Sequence, residues 1–202
     1  MLARLFFGLL LIGTPVALAI RIQRARRDLG RSPVVLGAVG STWERWGERL
    51  ALFAMLFWPA SWLWVALGRV PLSPPPVRAL GLALMATGAA LTAAAIFLMG
   101  RAWRIGIDPT NRTELAREGP YRWIRHPIYA GMLLMVLGNV LVAPSPMIDL
   151  AALLTTLGIL RQALREEQYL HQTFGERYAR YAAETGRFVP RFRVRATPTS
   201  GR

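Results

Sequence analysis

The chain has 202 residues, 53% of them hydrophobic, and 25 basic against 11 acidic residues give it a formal net charge of +14. Every basic residue is arginine and there is no cysteine, which excludes disulfides, thiolate metal sites and a cysteine nucleophile. The apolar residues run in blocks near the length of a membrane crossing, so a soluble nucleic-acid binder is excluded too. The charge is assigned instead to membrane orientation and to anionic headgroups.

Five apolar blocks follow one another at 3–20, 50–68, 79–99, 128–143 and 147–164. They predict an all-α, polytopic membrane helix bundle of about five transmembrane helices. A C-terminal amphipathic helical segment on the cytosolic side completes it. The whole chain reads as one domain, with three spans in 1–99, a core in 100–192 and a flexible tail at 193–202. In the first block, Arg4, an apolar run and Ala17-Leu18-Ala19 also fit a cleaved signal peptide. The cluster "RIQRARR" that follows at 21–27 opposes export and favours an uncleaved helix.

A capping box, "STWE" at 41–44, starts a helix ahead of the second block. Trp43, Trp46, Trp58, Trp62 and Trp64 flank or cap that block as interfacial anchors. "PLSPPP" at 71–76 forms a rigid outer turn. In the third block Gly81, Ala86, Gly88, Ala89, Ala90 and Ala93–Ala95 offer a smooth packing surface to another helix. "APSPM" at 143–147 joins the last two blocks as a tight hairpin. Leu164, Tyr169, Leu170, Phe174, Tyr178 and Tyr181 then continue a helical pattern. A break is expected near Gly175 and an end at Gly186.

Arginine is concentrated in 21–31, in 101–126 and after 161, and is sparse in 69–78 and 143–149. The alternation places the N terminus outside and the C terminus in the cytoplasm, as in a bacterial inner-membrane protein. The start of the fourth span then lies beside the end of the fifth, at the cytoplasmic face.

Two polar clusters meet there. In 117–131, "REGPYRWIRHPIYAG", Pro127 disfavours α geometry at His126 and suits the first position of a helix. The N–H groups near Tyr129 and Ala130 are expected to be unpaired, and a helix N terminus of that kind can receive an anion. Gly131 lets a ligand or a backbone come close. Arg122 and Arg125 add charge, while Tyr121, Trp123 and Tyr129 add flat surfaces with polar tips. The alternative reading is an interfacial anchor rich in arginine and aromatic residues. In the second cluster, Arg161, Arg165, Glu166 and Glu167 end the fifth span, and Glu167 pairs by spacing with His171, one turn on. Acids so close to hydrocarbon are expensive unless paired or wet, which marks a site; the alternative is a solvated, salt-bridged helix. Two histidines without an H-x-x-x-H or E-x-x-H pair argue against a metal, and no Walker loop or dinucleotide-type glycine loop is present.

"GPYRWIRHPIYAG" at 119–131, followed by "REEQYLHQTFGERYARYAAETGRFVP" at 165–190, resembles the isoprenylcysteine carboxyl methyltransferase family. That family belongs with the phospholipid methyltransferases, and the resemblance spans 101–192. It implies S-adenosylmethionine-dependent methyl transfer at the cytosolic membrane face, to a membrane lipid or a lipidated small-molecule acceptor, without nucleic acid or metal. The implied cofactor contacts are Leu115, Ala116, Tyr121, His126, Pro127, Ile128, Tyr129, Glu166 and Glu167, with Gly131 beside them. Arg165, Glu166 and Glu167 are the implied catalytic groups, and Arg161 and Arg165 the substrate contacts. The family's substrate arginine, one turn before the glutamates, falls here on Gln162 or Ala163. A sterol-reductase-like NADPH enzyme and a non-catalytic membrane scaffold are the competing readings.

Overall fold

The computed structural model describes residues 1–30, 32–35, 49, 57–99 and 115–191. Helix α1 (Leu2–Leu29) continues through the arginine cluster that was expected to follow it. Arginine is a good helix former, and Arg26 and Arg27 in the last turn suit the negative end of the dipole. Gly30, at φ 67°, closes the helix by bonding its N–H to the Arg26 carbonyl. The second block is described as helix over 57–66, α2. Its remainder, with Trp43, Trp46 and the 41–44 capping box, lies outside the described residues, as does the tail 193–202.

Helices α3 (Pro75–Met99), α4 (Pro127–Val142) and α5 (Pro146–Phe174) follow, then the short α6 (Glu176–Glu184). Each of α3, α4 and α5 begins at a proline, whose missing N–H costs nothing in a first turn. Among the described residues, α1, α3 and α5 are long and apolar enough to cross a membrane, and α4 is a shorter apolar helix. The molecule is an all-helical, polytopic membrane bundle. A single parallel bridge joins Ile124 to Gly186.

Glycines seven residues apart on both helices bring α3 and α4 together. Gly81 lies against Gly138 and Gly88 against Gly131, in antiparallel register. A Cβ on Gly81 would stand 2.7 Å from the Gly138 carbonyl oxygen, and one on Gly88 would collide with that of Gly131. The seam is therefore glycine on glycine, not the wider small-residue surface expected: Ala86, Ala90, Ala93 and Ala94 are exposed. Backbone contact this close maximises packing where lipid supplies no hydrophobic drive for helix association.

The tryptophans of α2 also depart from expectation. Trp58 and Trp62 are buried, edge to face at 4.9 Å, and Phe7 of α1 packs on Trp62 at 6.5 Å. Only Trp64 remains exposed among the three. They belong to the core that α1 and α2 share with Met85, Met135, Val136, Val142 and Ile148. Within it, buried Asn139 donates to Ser61 Oγ at 3.1 Å, and Ser61 Oγ donates to the Trp58 carbonyl at 2.7 Å.

Two details of α5 position the site. Ser145 caps its start, accepting from the Ile148 N–H, which closes the α4–α5 hairpin tightly. Its 29 residues span about 43 Å at 1.5 Å per residue, more than the ~30 Å of hydrocarbon. The polar end therefore projects beyond the apolar part as one continuous helix. Gly175, at φ 51°, breaks the helix where expected. Glu184, not Gly186, ends α6, and Gly186 is freed for the bridge to Ile124.

Candidate functional site

The segment before α4 reaches it through a 3-10 turn, Gly119–Arg122, which opens with Gly119 at φ 55°. Residues 123–126 then run beside 186–187. The Gly186 N–H bonds the Trp123 carbonyl, and the Arg125 and His126 N–H groups bond the carbonyls of Gly186 and Arg187 at 2.8 and 3.1 Å. Arg125 secures the same strap with its guanidinium, donating to the carbonyls of Ala182 and Thr185. Tyr181 of α6 donates its hydroxyl to the Tyr121 carbonyl at 2.8 Å. The C-terminal strap thus holds His126 against the polar end of α5.

There the two clusters meet. His126 Nε2 lies 3.3 Å from Glu167 Oε1, and its Nδ1 lies 3.7 Å from Glu166 Oε2. A carboxylate only accepts, so Nε2 carries the hydrogen toward Glu167. The ring stacks on Tyr129 at 5.6 Å and touches Phe188 at 6.0 Å.

The glutamates have different surroundings. Glu167 accepts from Arg125 Nε at 3.2 Å and from both Nε and Nη2 of Arg187, at 2.9 and 2.6 Å. The Arg187 fork is a bidentate, charge-assisted pair, and with His126 it saturates that carboxylate. Glu166 is bonded by neutral donors instead, the Tyr129 hydroxyl at 2.6 Å and the Gln162 amide at 3.0 Å. Beside it, the buried Tyr121 phenol is pushed well above its ordinary pKa by burial and then by the Glu166 charge, so it stays protonated. Its hydroxyl and the Gln162 carbonyl oxygen are buried without a hydrogen-bond partner.

The other expected residues fall around this centre. Pro127 is the first residue of α4, with His126 at its N-cap. The Ala130 N–H bonds the His126 carbonyl at 2.9 Å, so the open donors at this end are those of Ile128 and Tyr129, one position earlier than expected. Gly131 meets a backbone, that of α3. Leu115 and Ala116 are half-buried on the approach to the turn, Arg161 is exposed and Arg165 half-buried. Arg125 and Arg187 supply charges that pair with Glu167. The expected one-turn partner of Glu167, His171, packs on Tyr178 instead.

Sequence reasoning placed Gln162 only at the family's substrate-arginine position, not as a partner of Glu166, and left out Arg187 and Phe188 altogether. The only hint of the latter pair was Gly186, which permits the tight turn where a Cβ would strike the Val189 carbonyl.

Comparison with known proteins places this site in context. A profile of the phospholipid methyltransferase family matches residues 77–177. Protein-S-isoprenylcysteine O-methyltransferase B of Arabidopsis thaliana is 31% identical over 113 residues, covering 54% of this chain and 57% of the plant protein. A probable protein-S-isoprenylcysteine O-methyltransferase of Oryza sativa subsp. indica is 28% identical over 117 residues, covering 56% of this chain and 61% of that one. The chain therefore spans less than two thirds of these relatives. Among solved structures, the eukaryotic intramembrane Ras methyltransferase ICMT superposes with a TM-score of 0.50 at 19% identity, over 76% of this chain and 54% of that one. This last likeness is one of fold.

Proposed function

The chain belongs to the phospholipid methyltransferase family, and on that premise we propose that it transfers a methyl group from S-adenosylmethionine to a lipidic acceptor at the cytosolic membrane face. The observation that carries the reading is His126, which reaches Glu166 and Glu167 at once beside the open N terminus of α4. The residues fit the cofactor chemically. The Ile128 and Tyr129 N–H groups suit its carboxylate, and the faces of Tyr121 and Tyr129 suit its sulfonium and adenine. Unpartnered buried polar atoms on Tyr121 and Gln162 fit a site built for a ligand. When bound, S-adenosylmethionine supplies a methyl group already activated on a sulfonium.

The protein's own residues then orient and desolvate. Glu167, locked by Arg125, Arg187 and His126, fixes the imidazole and the C-terminal strap. Glu166 is the group free to take a proton, which an amine acceptor must lose; a carboxylate acceptor is ionised at neutral pH and needs no base. The names of the plant relatives favour a prenylcysteine-like carboxylate. Arg161 and Arg165, on the same helix, are the cations this reading assigns to placing it. The N-outside, C-inside orientation is part of this reading; the matching relatives are eukaryotic and lend nothing to a bacterial inner membrane.

Calorimetric titration of the detergent-purified chain with S-adenosylhomocysteine, and separately with NADPH, tests the proposal. Saturable binding of the first and none of the second is expected. The reverse result would replace the methyltransferase reading with a reductase.

A further inference from the structure

Helix α1 meets the rest of the bundle through a narrow face. Ala3 and Phe7 are buried, whereas Leu5 and Leu9 are 56% and 72% exposed. Between the two faces runs a groove of about 510 Å³, lined by Met1, Arg4, Leu5, Gly8 and Leu9 and, across from them, Ala66 of α2. Gly8 keeps the groove open. Nothing lies within 4 Å of a Cβ placed there, whereas Gly81, Gly88, Gly131 and Gly138 each meet a carbonyl of the facing helix. Glycine inside a helix weakens it relative to alanine, and at Gly8 no close approach of another helix accounts for that cost.

Arg4 stands at the mouth of this groove. Its guanidinium lies flat over Gly68, where a Cβ would be 2.8 Å from Cζ and 2.9 and 3.0 Å from the two Nη atoms. Flat contact occupies one face of the group and leaves the N–H donors along its edges. Arg4 is exposed, and the first acid in the chain, Asp28, is 24 residues or about 36 Å further along α1. Gly68 is at the end of the bundle away from His126, because the turn after it bonds the Ser73 N–H to the Val142 carbonyl at the far end of α4. Trp64, one turn earlier and 49% exposed, and exposed Arg69 suit a headgroup boundary at that level.

The dimensions select the occupant. From Met1 to Leu9 the groove runs about 12 Å, close to one leaflet of the ~30 Å hydrocarbon layer. A helix from a second copy would call for a seam through both leaflets. An apolar groove left empty forfeits dispersion contacts, and an acyl chain restores them. At its mouth a guanidinium edge makes paired, charge-assisted bonds to phosphate oxygens.

We propose that the groove between α1 and α2 holds one anionic phospholipid, with an acyl chain along Gly8 and the phosphate on Arg4. On the orientation given above, the lipid belongs to the outer leaflet. The site is separate from His126 and does not rest on the methyltransferase reading.

Native mass spectrometry of the full chain in detergent tests this, with added phosphatidylglycerol and, separately, phosphatidylcholine of the same acyl chains. The parent is expected to hold one phosphatidylglycerol about tenfold or more tighter than phosphatidylcholine. Arg4→Gln should bring phosphatidylglycerol down to the phosphatidylcholine level. Gly8→Leu fills the groove, so it should lose the tightly held lipid while unfolding at no lower temperature than the parent. S-adenosylhomocysteine affinity should be equal in all three proteins; its absence from the parent would sink the methyltransferase reading and leave this one standing. No headgroup preference in the parent, or the parent's preference kept in both variants, would overturn the proposal. So would a lipid displaced by Gly8→Leu but indifferent to headgroup and to Arg4→Gln, which would leave an apolar groove only. A dimer that Gly8→Leu makes monomeric, with lipid retention unchanged, would give the groove to a second copy instead. Should Gly8→Leu fail to fold, the headgroup comparison in Arg4→Gln decides alone.

Discussion

Glu166 and Glu167 are neighbours in sequence with opposite employment, and the difference can be measured. Glu167 neutralises Arg125 and Arg187 in a partly buried network, so Glu167→Ala leaves two guanidinium groups without their acceptor. A loss of about 2 kcal/mol is expected, below the cost of breaking a fully buried pair because Arg187 is partly exposed to solvent. It would be read as a clear fall in thermal unfolding temperature in detergent, and an unchanged temperature would deny the network its structural role. Glu166→Gln, by contrast, keeps neutral partners for neutral donors and should unfold as the parent does, while its ligand affinity drops. At this scale the sequence was informative about type and less about partner. The "REE" run and His126 could be singled out because charge beside hydrocarbon is expensive. Local spacing, however, pointed Glu167 to His171, whereas its partners lie 20 and 42 residues away.

Among the elements, the α3–α4 seam and the C-terminal strap carry the most specific consequences. Gly131→Val would drive a branched side chain into the Gly88 carbonyl and Thr92, separating the helices or bending both. An overpacking cost of about 1–3 kcal/mol is expected, read as lower unfolding temperature and aggregation on gel filtration. Ala90→Val, on the exposed face of α3, should change neither. The strap makes a different prediction. Truncation after Thr185 removes Arg187 and Phe188 but none of the spans, so membrane insertion should survive while S-adenosylhomocysteine binding is lost. Retained affinity would show that His126 does not need the strap. The helices themselves were legible from apolar length, the start at Pro127 and Gly175, whereas Pro75 and Pro146, read as turn residues, open α3 and α5. The glycine seam was legible only as a stripe of small residues, since glycine and alanine look alike until a facing carbonyl distinguishes them.

For the whole molecule, the arginine distribution predicts an orientation that the cysteine-free chain makes simple to test. A single cysteine replacing Pro74, in the exposed turn before α3, should react with an impermeant reagent from outside. One replacing exposed Arg180 on α6 should react only after permeabilisation. Labelling of Arg180→Cys in intact cells would invert the topology and remove the cytosolic placement of the site. Hydropathy and charge determined the class of this protein by themselves, because a bilayer requires long uninterrupted apolar helices and arginine biases which side a loop occupies. The break at Gly175 and the helix start at Pro127 were equally local, each set by one residue's backbone freedom. Only the tertiary structure decided that Trp58 and Trp62 are core, that Gly131 serves packing, and that residues 186–188 return to cover His126. It alone divided the glutamates into one held by arginines and one left with neutral partners. Those outcomes depend on pairings between residues far apart in the chain, and the energy of such pairings leaves no periodic mark on the sequence.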